Sequence, residues 1–245
     1  MDDAQRFLRY VVPGLTLMVE FLGYLLISGN ISFSQLIKWV NTVGIAVSAF
    51  LASGGLGFLL GAIYYPVVWL EWLPTANLGP IVEEAESSGW LKLYSPAGRE
   101  VKATNLTKRG AWRVVTSYMN MKTETSKQIK GAVGGINRLS NILNALGTTC
   151  LASLAALISF VIYDLYSNWG GEFSFAGCGA IVIALIMFIF HCWNCWGVMK
   201  DYENVTRSTL LTEFEKEYCK NLKGVKLHVF KNDLKRDCLK TEPRH

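Results

Sequence analysis

Two groups of side chains in this chain combine residue types and spacing that can do chemistry. The first is Glu20, set in the apolar stretch YVVPGLTLMVEFLGYLLIS (Tyr10–Ser28) with no lysine or arginine in the same run. A carboxyl group in such surroundings can attract a cation, exchange a proton or, when neutral, tie helices together by hydrogen bonding. The second is FHCWNCWG, in which His191, Cys192 and Cys195 fall within about one helical turn of one another. Imidazole and thiolate side chains are ligands for zinc and softer transition metals.

The second group is the weaker. Structural zinc sites take four ligands, and Cys150, Cys178, Cys219 and Cys238 show no matching pair spacing. A CxxC redox motif belongs at a helix start in a thioredoxin-like setting, which is absent. His191, Cys192 and Cys195 are therefore weak metal candidates. They are expected to serve as packing residues, with no metal and no cofactor. Hydrolase and nucleotide motifs (HExxH, GxSxG, the P-loop) do not occur, and no strand–turn–helix context surrounds the glycines. An enzyme is not expected, nor is direct nucleic-acid binding. The acceptor patterns at Asn30, Asn105 and Asn204 read as chance. Asp164 and Glu172 are expected outside the apolar runs, where they attract cations or are simply solvated.

The elements that must position these groups are membrane-like. The 245 residues are 51% hydrophobic and only 18% charged, against about 25% charged in ordinary soluble domains. Four apolar runs hold almost none of the charge: Tyr10–Ile27, Trp39–Ile63, Ile142–Tyr163 and Gly177–Val198. Each approaches the roughly 20 residues that a helix needs to cross a bilayer. The first exceeds the apolar core of a signal peptide and lacks a convincing cleavage site after it, so it reads as retained.

Lysine and arginine concentrate before the first run, in the long connection between the second and third, and after the fourth; the connection from Asp164 to Cys178 has none. By the positive-inside rule both termini and the long connection are cytoplasmic, and the protein is a multi-pass protein of the inner (plasma) membrane. Tyr64, Tyr65, Trp69 and Trp72, then Tyr163, Tyr166 and Trp169, mark the water boundaries, and Trp193 and Trp196 are expected as interfacial anchors. Pro66 is expected to end the second helix, and Pro13 with Gly14 to kink the first.

Outside the bilayer, GWLKLYSPAGREVKATNL alternates like a β-hairpin. Ile129, Val133, Ile136, Leu139, Leu143 and Leu146 form a helical stripe leading into the third run. Gly131, Gly134 and Gly135 interrupt it as a possible hinge or close helix contact. The fourth run continues helically through Tyr202, Val205, Leu211, Phe214 and Tyr218 towards Gly224, and VKLHVF reads as a short strand. The expected fold is thus mainly α: a polytopic membrane protein with four transmembrane helices. The third and fourth extend into a small α+β cytosolic region. Its parts are a first helix pair (1–65), a cytosolic connection (66–141), a second helix pair (142–199) and a cytosolic helical tail (200–245).

At 1.5 Å per residue, Glu20 lies roughly 10 Å below the outer end of its run, at the depth of Ala46, Ser48, Ser153, Ala156 and Ala184. By the same arithmetic His191 lies roughly 10 Å from the inner boundary, too far for direct contact. An ionised carboxylate facing lipid costs about 2.5–3.5 kcal/mol on insertion scales. Apart from snorkelling to the outer surface, three arrangements avoid that cost: a neutral acid bonded to Ser48 or Ser153, a water-filled cavity, or a ring of carboxylates in a homo-oligomer. Glu20, Ser48 and Ser153 are accordingly the candidate pore or ion site. Ala49, Ser53, Gly57 and Gly61, with Ala176, Ala180 and Ala184, form small-residue ladders for helix packing.

The expected function is a homo-oligomeric, channel-like or membrane-perturbing effector gated from the cytosol by a protein or ligand. A setting in bacterial defence or stress response follows from architectural analogy. The alternative is a non-conducting membrane anchor or adaptor presenting a cytosolic surface to a protein partner. A secondary transporter ranks lower, because the two halves do not echo one another.

Overall fold

Long runs of leucine, isoleucine, valine and alanine without interior charge leave the backbone one way to satisfy itself in lipid, the helix. The computed structural model describes residues 7–41, 43–68, 75–94, 98–123, 127–167, 175–221 and 225–228. A single π-helical turn, Phe7–Val11, leads into α1 (Val12–Ile27). Then come α2 (Phe33–Val40), α3 (Val43–Val68), α4 (Gly79–Ser87), β1 (Leu91–Tyr94), α5 (Lys108–Thr123), α6 (Lys127–Ser167), α7 (Phe175–Asn221) and β2 (Val225–His228). The described chain is mainly helical, and four of its helical segments are long and apolar enough to cross a membrane: Arg9–Ile27, Val47–Pro66, and stretches within α6 and α7.

The chain divides into two compact units, Met1–Pro74 with Ser140–Val198, and Thr75–Leu139 with Met199–His245. In the first, α1 and α3 meet backbone to backbone. A Cβ on Gly57 would overlap the Tyr10 carbonyl, and one on Gly14 would overlap the carbonyl of Ser53. The ladder Ser53–Gly57–Gly61 therefore finds its partner within the chain, as close van der Waals packing requires. Tyr24, Leu25, Ala156, Phe160, Ala180 and Ala184 form a second contact cluster, joining α1, α6 and α7. The outward faces stay apolar: Val19, Leu51, Phe58, Ile162, Ile189 and Trp193 are all exposed. Lipid tolerates such a surface, whereas water does not.

Several expectations need correction. The second run does not begin at Trp39. Residues 33–40 form the separate amphipathic helix α2, started by a capping box in which Ser32 and Gln35 exchange hydrogen bonds. Pro66 does not stop α3, which continues to Val68. A proline inside a helix removes one backbone hydrogen bond, which the packing of the surrounding helix can outweigh. The kink expected at Pro13 and Gly14 is not among the corrections: the π-helical turn Phe7–Val11 runs directly into Val12 and Pro13, so the helical path is irregular there. Tyr64, near the end of the span Val47–Pro66, is buried, its ring pressed against Gly147 of α6. Trp69, Trp72, Trp169 and Glu172 lie outside the described residues, as does Gly224.

In the second unit, α4, β1 and α5 surround a core of Leu78, Ile81, Val82, Leu91, Leu93, Val115 and Tyr118, with Val133 and Ile136 of α6 and Tyr202, Leu210 and Phe214 of α7. Tyr118 and Phe214 pack ring on ring at 4.3 Å. The Tyr118 hydroxyl donates to Glu217 at 3.4 Å, and Lys122 pairs with the same carboxylate. Burial, with Glu217 beside it, holds the Tyr118 phenol above its usual range. The small α+β region receives no support. Among the described residues, Leu93 and Tyr94 meet the returning segment through a backbone bond from Val101 and an antiparallel bridge at Glu100. The ladder of β1 is instead with β2, in parallel, Leu91 opposite Val225 and Tyr94 opposite His228. Two four-residue strands do not make a sheet layer.

Candidate functional site

Glu20 sits two turns from the end of α1 and is 8% exposed. Tyr24, one helical turn further on, points along the same face and donates its hydroxyl to Glu20 Oε2 at 2.9 Å. The other oxygen, Oε1, lies 2.9 Å from His191 Nε2 on α7. Ser153 of α6 is fully buried beside Glu20 and Tyr24, although its Oγ makes no hydrogen bond of good geometry. One side chain from each of α1, α6 and α7 thus converges on this acid.

The contact between Glu20 and His191 overturns the depth arithmetic. That arithmetic placed Cα atoms, but every helical side chain leans towards the N-terminus of its own helix. If the chain crosses four times, α1 and α7 run in opposite directions, so Glu20 leans towards the depth of His191 and His191 towards that of Glu20. Two long side chains then close a gap that the helix rise alone leaves open.

The arrangement can hold one proton in two ways. With the proton on imidazole, the pair is carboxylate and imidazolium; with it on the carboxyl, both groups are neutral. Either way the pair carries no net charge, so its burial avoids the penalty for a lone carboxylate. Transfer of that proton needs only movement along one hydrogen bond. Opening the pair exposes an acid and a base to whatever water enters.

The remaining expected site residues are dispersed. Ser48 is exposed on α3 and takes no part in this cluster. Ala49 is half-buried, Ser53 and Gly57 are buried against α1, and Gly61 touches the Tyr10 ring. Ala180 and Ala184 are fully buried in the cluster with Tyr24 and Phe160, whereas Ala176 is exposed. Gly131, Gly134 and Gly135 lie within the unbroken helix α6, with open space around each. They form neither a break nor a close contact there.

Two features escaped sequence reasoning. Tyr24 was accessible from its four-residue spacing to Glu20. Asp164, expected in solvent, is buried near the end of α6 and accepts a hydrogen bond from Asn30 at 3.2 Å, which fastens the turn after α1 to α6. Among the described residues no group of three or more His, Cys, Asp or Glu side chains has an arrangement suited to hold a metal ion. His191 turns to Glu20 instead. Comparison with protein-family models, with curated proteins and with solved structures gives no match.

Proposed function

We propose that this protein acts in the inner (plasma) membrane as a channel-like or membrane-perturbing effector, assembled from several copies and switched by a protein or small ligand on its cytosolic side. Both termini and the second unit are cytosolic in this reading, which rests on the placement of lysine and arginine. The observation that carries it is the Glu20–Tyr24–His191 cluster inside an apolar helix bundle. Ionisable groups at such depth are costly, and they commonly mark ion or proton paths. No enzymatic step, cofactor or nucleic acid enters the scheme, and bacterial defence or stress response remains its analogy-based setting.

The geometry refines the carboxylate-ring idea. Both oxygens of Glu20 are engaged within one chain, which supports a closed resting state. Conduction would require α1 and α7 to part, releasing the acid and the base towards a water path shared with neighbouring copies. Four helices alone rarely enclose such a path, and the exposed apolar faces of α3 and α7 offer surface for further subunits.

A second reading draws on the same saturation. If Glu20 and His191 serve only as glue, the bundle is a non-conducting anchor and the second unit is its partner-binding surface. Ion efflux from liposomes containing the reconstituted protein separates the two. The effector reading predicts flux that Glu20→Gln and His191→Gln change by about tenfold, equivalent to about 1.4 kcal/mol on an opening equilibrium, with assembly unchanged. Wild-type liposomes as tight as protein-free ones between pH 5 and 8 would leave the anchor.

A further inference from the structure

Three thiols gather beside the acid–base pair, and no part of the scheme above uses them. Cys150 of α6 is fully buried one turn from Ser153, and Cys195 of α7 lies one turn from His191, so the two side chains that flank Glu20 bring Cys150 into the neighbourhood of Cys195 and Cys192. Cys195 is fully buried too, while Cys192 is half-buried. Cys192 and Cys195 stand one turn apart, so α7 offers both sulfurs to the same partner on α6. Tyr64 of α3 lies against this group, its ring filling the space left by Gly147.

We propose that Cys150, Cys192 and Cys195 form a redox-sensitive site at which a membrane-dissolved hydroperoxide converts two thiols into a disulfide joining α6 to α7. Cys192 is the entry point. It is the least buried of the three, and Ile189, Phe190 and Trp193 around it are exposed apolar side chains along which a lipid-soluble oxidant can approach. Its sulfur attacks the terminal peroxide oxygen, the O–O bond breaks, and the alcohol leaves with the thiol proton, giving a sulfenic acid. The Cys150 sulfur then attacks Cys192, forming the S–S bond, and the departing hydroxide takes the Cys150 proton as water. In balance, two thiols and one hydroperoxide give one disulfide, one alcohol and one water. Cys195, in the same neighbourhood, can attack the Cys150 sulfur in turn, transferring the bond to Cys150–Cys195 and freeing Cys192 for reduction or a second oxidation.

This inference is independent of whether the bundle conducts. The test uses full-length protein in lipid nanodiscs with Cys178, Cys219 and Cys238 replaced by serine, exposed to cumene hydroperoxide, alkylated and digested for mass spectrometry. The expected result is a fall from three alkylatable thiols to one, with a crosslinked peptide linking Cys150 to Cys192 or Cys195 in the same chain. In Cys150→Ser the crosslink disappears, while a sulfenic-acid trap still labels Cys192. Chains whose three thiols all remain alkylatable, under conditions that oxidise Cys219 in the unmodified protein, would overturn the proposal. So would crosslinks found only between chains or only between Cys192 and Cys195.

Discussion

Replacing His191 by phenylalanine removes the base that shares a proton with Glu20 and leaves the carboxyl with Tyr24 alone. Two routes remain for the acid at pH 7. Staying ionised in an apolar bundle costs about 2.5–3.5 kcal/mol on insertion scales. Taking up a proton costs an ordinary glutamate, titrating near 4.3, about 3.7 kcal/mol at 1.36 kcal/mol per unit. The two figures agree closely enough to predict that His191→Phe destabilises the protein by about 3 kcal/mol at pH 7. Glu20→Gln in the same chain removes the group that suffers, so the double variant recovers at least about half of the loss. At pH 4.5 protonation is nearly free, and the gap between His191→Phe and the double variant closes to below about 1 kcal/mol. Unfolding in mixed detergent micelles, followed by circular dichroism at both pH values, measures all of these differences. A His191→Phe protein as stable as wild type at pH 7, or a deficit that Glu20→Gln does not reduce, would refute the reasoning.

Further outcomes follow from other contacts. Gly57→Ala forces a methyl group into the Tyr10 carbonyl and is expected to lower stability by about 1–3 kcal/mol; Gly54→Ala, on an open face, is expected to change it by less than about 0.5 kcal/mol in the same unfolding assay. Phe214→Ala opens a cavity beside Tyr118 and should cost about 3–5 kcal/mol, read as accelerated proteolysis of the second unit. The buried Tyr118 phenol titrates above its unfolded value of about 10, so it favours folding below that pH and this contribution is lost as pH rises beyond it. Tyr118→Phe should therefore flatten the alkaline limb of the second unit's stability curve, measured by chemical denaturation.

The four long helices were legible because lipid leaves an apolar run few alternatives. The long extensions of α6 and α7 were legible from apolar stripes without a proline, such as Ile129–Leu146. What failed was depth and partnership. Helix rise locates a Cα along an axis but says nothing of the lean of its side chain, so Glu20 and His191 were judged unable to meet. The approach of Cys150 escaped for a similar reason: spacing arguments find ligands on one helix and miss a thiol delivered from another. Short amphipathic pieces were misread where the pattern was too brief. Trp39 was assigned to a span although Ser32 starts a separate helix. The hairpin suggested by the alternation after Trp90 is present, among the described residues, only as the antiparallel bridge between Tyr94 and Glu100, the ladder of β1 being with a strand more than a hundred residues away in sequence.

The central claim is that Glu20 of α1 and His191 of α7 face each other within one chain inside a membrane-spanning bundle. Glu20→Cys and His191→Cys, introduced together into a chain cleared of its native cysteines and placed one chain per nanodisc, test it most directly. A direct disulfide cannot span positions that meet only through the far ends of two long side chains, so a short bifunctional methanethiosulfonate is used, and it is predicted to join the two positions within the chain, detected as a single crosslinked peptide. Two thiols per chain that each react but are never linked to one another, or crosslinks only when several chains share a disc, would contradict it.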